Sequence, residues 1–168
     1  ICILEINKEG IMDRKTLDVL FALIRNCISD EDISSNTIKL ISSVDLDGLF
    51  DISKKHDISH LVAFSLLGNN LIDKTQKTAE IFKKSNIFAV MRYEKIKFEL
   101  DSVCRLLEDN KIKFIPLKGS FIRDYYPEPW MRTSCDIDIL VNKNQLKKVE
   151  KLLVENLKYR KANVGPHD

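Results

Sequence analysis

Through the N-terminal part of the chain, apolar positions recur at intervals of three and four, the rhythm of helices with one buried face. Leu17, Leu20, Phe21, Ile24 and Ile28 keep that rhythm behind Asp13, a residue suited to capping. Ser34 or Ser35 opens a second, short helix through Ile38, Leu40 and Ile41. Asp45 opens a third through Leu49 and Phe50, ending near His56. Ser59 precedes Leu61, Val62, Phe64, Leu66 and Leu67, and the Gly68-Asn69-Asn70 cluster stops that helix. From Asp73 to Asn110 there is neither Gly nor Pro, and Phe82, Ile87, Val90, Met91, Ile96, Leu100, Val103 and Leu107 hold a helical stripe. The stripe predicts one long helix, or two joined near Ser85-Asn86, with Lys and Glu on the solvated face.

The pattern changes at residue 111. Ile112, Phe114 and Ile115 read as a short strand ended by Pro116. Gly119-Ser120 is a turn, FIRDYY a brief helical segment, and Pro127 and Pro129 force a loop. Residues 135–141, CDIDILV, alternate like a strand rich in β-branched residues. Asn144 caps a last amphipathic helix through Leu146, Val149, Leu152, Leu153 and Leu157, and KYRKANV begins a further strand. The expected organisation is a helical region over 1–110 and a mixed core over 111–168; two strands alone make no stable sheet, so either the N-terminal helices cover it or strands beyond residue 168 complete it.

Composition narrows the classes. Apolar residues are 44% and charged residues 31%, as in ordinary globular domains, and the formal net charge of +2 argues for no nucleic-acid partner. No apolar run approaches the roughly 18 residues of a membrane span, and ICILEINKEG has no signal-peptide form, so a cytoplasmic protein without a membrane partner is expected. Cys2, Cys27, Cys104 and Cys135 form no CxxC pair and read as reduced thiols.

Candidate chemistry sits in residues 115–141. On a strand, Asp136 and Asp138 point to one side, about 6.5–7 Å apart at roughly 3.3 Å of rise per residue, while Ile137, Ile139 and Val141 face a core. Two carboxylates so close repel, and divalent cations remove the conflict: two Mg²⁺ ions about 3.5–4 Å apart would use both acids. A bare Asp-x-Asp is equally a solvated strand face. Its context is what argues otherwise. Gly119 lets backbone approach a ligand, Ser120 caps a helix or offers its hydroxyl and N–H to a phosphate, and Lys118 and Arg132 add positive charge on either side. Together they suit phosphoryl transfer, in which metals and basic groups neutralise a polyphosphate and position it for in-line attack. His56 and His60 stand four apart but are separated by a helix break, and Trp130, Tyr125 and Tyr126 serve either base stacking or loop packing. No spacing argues for hydrolase triads.

A Gly-Ser turn followed on the next strand by Asp-x-Asp resembles the DNA polymerase β-like nucleotidyltransferase superfamily. Leu117-Lys118-Gly119, Tyr126-Pro127, Arg132 and Asp136-Ile137-Asp138-Ile139-Leu140-Val141 are similar, more closely, to the uncharacterised nucleotidyltransferase family, as is the upstream HDISHLVAFSLL. The resemblance implies an α+β fold, with a helical N-terminal region packed on a small polymerase β-like mixed sheet with flanking helices. It implies Mg²⁺-dependent transfer of a nucleoside monophosphate from an NTP to an acceptor, whether small molecule, protein or tRNA. Gly119 and Ser120 would hold the triphosphate and Asp136 and Asp138 the metals as catalytic residues; Lys118 and Arg132 would join the nucleotide site. LKYRKANVGPHD offers no acid on a strand for the superfamily's third carboxylate, which lies either beyond residue 168 or nowhere; the second case makes a catalytically inactive nucleotide-binding or protein-interaction module the alternative.

Overall fold

The computed structural model describes residues 13–161. Cys2, the start of the chain, Asp168 and the end of the expected KYRKANV strand lie outside them. The fold is α+β: seven α-helices and a two-stranded antiparallel sheet among the described residues. No helix among them is long and apolar enough to cross a membrane. The chain divides into two compact units, 1–90 and 91–168.

In the first unit, helices α1 (Arg14–Ser29), α2 (Ser35–Ile41), α3 (Leu46–Lys55) and α4 (Ser59–Gly68) start where the sequence suggests. Asp13, Ser34 and Asp45 each accept a hydrogen bond from a backbone N–H of the first turn. Their apolar faces meet in a core built on Val19, Leu23, Leu49, Val62, Leu66 and Phe82. α3 and α4 also end where the sequence suggests, near His56 and within Gly68-Asn69-Asn70. Asp57 and Asn70 take the left-handed conformation there, at φ 54° and 53°. The N–H of Ile58 then reaches Ser53 O at 2.8 Å, and that of Leu71 reaches Leu66 O at 2.9 Å. The break at Asp57 also puts exposed His56 and buried His60 on different elements.

The stripe from Asp73 onward forms a single helix, α5 (Lys77–Asp109), which is continuous through Ser85-Asn86. The Ser85 hydroxyl folds back onto Phe82 O at 2.8 Å. In the second unit, Lys111 (φ 56°) closes α5, and Ile112 N–H donates to Leu107 O at 2.9 Å. Ile112 therefore belongs to a helix cap and not to a strand. Strand β1 is Phe114–Pro116, followed by the short helix α6 (Gly119–Ile122), 3-10 turns at Arg123–Tyr125 and Pro129–Met131, strand β2 (Ile139–Val141) and helix α7 (Leu146–Leu157). Asn142 caps the turn leading into α7 by accepting from Asn144 N–H, so the expected cap sits two residues earlier. Tyr159–Lys161 form no strand; Lys158, at φ 60°, ends α7. Val103, Leu107, Ile112 and Val149 are the core of this unit, with Phe114, Ile139 and Val141 packed on them.

Candidate functional site

β1 and β2 pair with Phe114 opposite Val141, Ile115 opposite Leu140 and Pro116 opposite Ile139. One more rung follows, in which Leu117 N–H donates to Asp138 O at 2.8 Å. The strand expected over Cys135–Val141 is thus reduced to Ile139–Val141. The reason is on the opposite chain: β1 turns away at Lys118, so nothing pairs with residues 135–137. The alternation of sides survives even so. Ile137, Ile139 and Val141 line an apolar cavity of about 240 Å³ with Val103, Leu107 and Val149. Asp136 lines a different cavity.

The turn at the end of β1 is tight. Lys118 has φ 43° and ψ −102°, a conformation that side-chain-bearing residues avoid at a cost of about 1–3 kcal/mol. Gly119 is buried, and a Cβ placed on it would lie 2.9 Å from Ser134 Oγ and 3.9 Å from Asp136 O. A side chain at 119 would press on the Ser134 hydroxyl, while the backbone of the aspartate segment stays at ordinary contact distance. The N–H groups of Ser120 and Phe121 already donate to Leu117 O and Lys118 O, at 3.3 and 3.1 Å. Ser120 does not cap the helix, since it lies inside α6. Its backbone N–H is committed, which leaves the hydroxyl for a ligand.

The antiparallel register brings some of the residues singled out in the sequence near one another, while Arg132 lies outside the cavity that Ser120 and Asp136 line. Lys118 Nζ stands 3.6 Å from Asp138 Oδ2, an exposed pair. Ser120 and Asp136 share a cavity of about 190 Å³. Its other lining residues are Arg123 and Asp124, together with Tyr93, Ile96, Lys97, Leu100 and Asp101 of α5, whose spacing marks one helix face.

Sequence reasoning missed Arg123. It is 6% exposed, its Nε donates to Gly119 O at 2.9 Å, and its guanidinium lies 5.5 Å from the centre of the Tyr93 ring. Burial lowers the basicity of this guanidinium most, Tyr93 opposes that, nearby Arg132 lowers it further and Asp124 raises it. Its helical spacing from Gly119 was the available signal. The α5 wall left none, because it belongs to a stripe that reads as an ordinary amphipathic helix. Arg132 Nε is itself buried with no hydrogen-bond partner. Trp130 is half-buried in the preceding 3-10 turn and Tyr125 is 88% exposed.

Asp136 and Asp138 are hard oxygen donors of the kind Mg²⁺ takes. Among the described residues there is no group of three or more His, Cys, Asp or Glu that could hold a metal. Mg²⁺ commonly uses one or two carboxylates and completes its shell with water and substrate phosphates, so a pair of acids beside a phosphate-sized cleft suits it.

The family model described as uncharacterised nucleotidyltransferase matches residues 42–168. No curated protein and no solved structure matches the chain.

Proposed function

The chain belongs to the uncharacterised nucleotidyltransferase family, and from that membership we propose an enzyme that transfers a nucleoside monophosphate from an NTP to an acceptor. Membership carries the general nucleotidyl-transfer role. The observation supporting the finer reading is that Ser120 and Asp136 line one cavity, with Lys118 reaching Asp138 beside it.

In this reading Asp136 and Asp138 would hold Mg²⁺, which when bound would neutralise and orient the polyphosphate. The Ser120 hydroxyl and the side chains of Lys118 and Arg132 bind phosphate oxygens, and Gly119 keeps the turn close enough for both walls to share one ligand. Lys118 is an exposed point charge on a flexible stem, able to leave Asp138 for a phosphate oxygen. The reaction forms a bond from the acceptor oxygen to the α-phosphorus and breaks the α–β bridge, so pyrophosphate leaves. The acceptor is a hydroxyl-bearing small molecule, protein or tRNA.

A second reading is a nucleotide-binding module without catalysis. It is favoured by the missing third carboxylate among the described residues. Labelled NTPs offered with and without Mg²⁺ to the wild type and to Asp136→Ala/Asp138→Ala decide between them. Metal-dependent binding by the wild type alone is expected. Equal binding by both proteins sinks the metal assignment, and binding without transfer to any acceptor selects the module.

A further inference from the structure

Behind the Gly119-Ser120 turn, Arg123 is buried and Arg132 half-buried, and neither is in a salt bridge among the described residues. Arg123 is more than nine-tenths buried and lines the cavity that also holds Ser120 and Asp136. Its bond to Gly119 O uses one of five N–H groups. Arg132 follows the 3-10 turn Pro129–Met131, which packs on the turn containing Arg123; its Nε is enclosed and has no partner. Burial and then Arg132 lower the basicity of Arg123, Asp124 offsets this without reaching ion-pair distance, and a bidentate oxyanion is the group that would satisfy both forks.

We propose that Arg123 and Arg132 form a phosphate clamp that works without metal, seizing one end of the triphosphate while Asp136 and Asp138 serve the other. This rests on the nucleotide reading of the same cleft. It adds Arg123 as a phosphate-binding residue and divides the site into an arginine half and a carboxylate half. The planar fork of arginine matters at both positions, because lysine keeps the charge and loses the paired geometry.

The test uses inorganic tripolyphosphate in EDTA, with calorimetry on the full chain. Asp136→Ala/Asp138→Ala is expected to bind it at least as tightly as the wild type, because without metal the two carboxylates only repel the anion. Arg123→Lys and Arg132→Lys are each expected to weaken binding at least tenfold, with unliganded melting temperatures showing that the variants fold. If Arg123→Lys fails to fold, Arg132→Lys and the loss of wild-type binding as salt rises decide the matter. No wild-type binding in EDTA, or unchanged binding in both lysine variants, overturns the clamp. Metal-dependent NTP binding that survives such a result would leave the nucleotide reading standing. A failure of that reading alone would appear as tripolyphosphate binding with no binding of any NTP.

Discussion

Gly119→Ala tests how the site is built. The added Cβ would sit 2.9 Å from Ser134 Oγ, where ordinary contact starts at 3.4 Å. Overpacking of this kind costs about 1–3 kcal/mol. Gly119 opens α6 without a left-handed φ, so alanine also recovers about 0.4–1 kcal/mol by restricting the unfolded chain. The net expectation is destabilisation of about 1–2 kcal/mol. Ser134→Ala removes the offending oxygen and leaves Ser134 Cβ at 3.7 Å, an ordinary contact. The Ser134 hydroxyl makes only a 3.5 Å bond to Asp136 O, so Ser134→Ala alone should shift stability by less than about 0.5 kcal/mol. The double variant should therefore regain wild-type stability or exceed it, with a favourable coupling of about 1–3 kcal/mol. Urea unfolding followed by the fluorescence of the single tryptophan, Trp130, reports the second unit, which suits a chain with two compact units. Coupling within about 0.5 kcal/mol of zero would refute the close approach of turn and aspartate segment.

Three further outcomes follow from the same residues. Lys118→Gly should stabilise the second unit by about 1 kcal/mol through relief of the φ 43° conformation, whereas Lys118→Met, which loses only an exposed ion pair, should lie within about 0.5 kcal/mol of wild type; equal shifts in urea midpoint would remove the strain argument. Exposed Cys135 should be alkylated by iodoacetamide well before Cys27, whose thiol burial pushes up to about 11; Mg²⁺ with NTP should slow Cys135, beside Asp136, and leave Cys27 unchanged, as read by mass spectrometry. The Tyr159 hydroxyl, pushed up to about 12 by desolvation and then by its bond to Glu99, favours the folded state while neutral. Its contribution is thus full below pH 10 and lost as pH rises toward 12, a fall that Tyr159→Phe should flatten in alkaline urea titrations.

Helix starts were legible because they are local: Asp13, Ser34 and Asp45 cap with side chains within reach of the next turn. Helix ends were legible as well: the stops expected near His56, at Gly68-Asn69-Asn70 and by Asn110 are where α3, α4 and α5 end. What the pattern did not show is that Asp57, Asn70, Lys111 and Lys158, none of them glycine, take the left-handed conformation there. The short β2 was illegible. Alternation over CDIDILV foretold which side chains face the core, but ladder length depends on where β1 turns, and that is set at Lys118. Ser120 and Asp136 line one cavity and Lys118 reaches Asp138, because one hairpin-like pairing carries their spacing. Arg123 escaped notice because Tyr93, which holds its face, lies on another element.

The two walls of the cleft differ in stiffness. Tyr93, Ile96, Lys97, Leu100 and Asp101 stand within a helix of 33 residues, whose mid-helix hydrogen bonds break only when the helix does. Ser120 and Arg123 hang on a helix of four residues and a three-residue strand pair. The cleft is a vice with one fixed jaw and one loose jaw. A ligand bridging them orders the loose jaw alone, so amide exchange should slow on nucleotide binding at Ser120–Arg123 and stay as it was at Tyr93–Asp101.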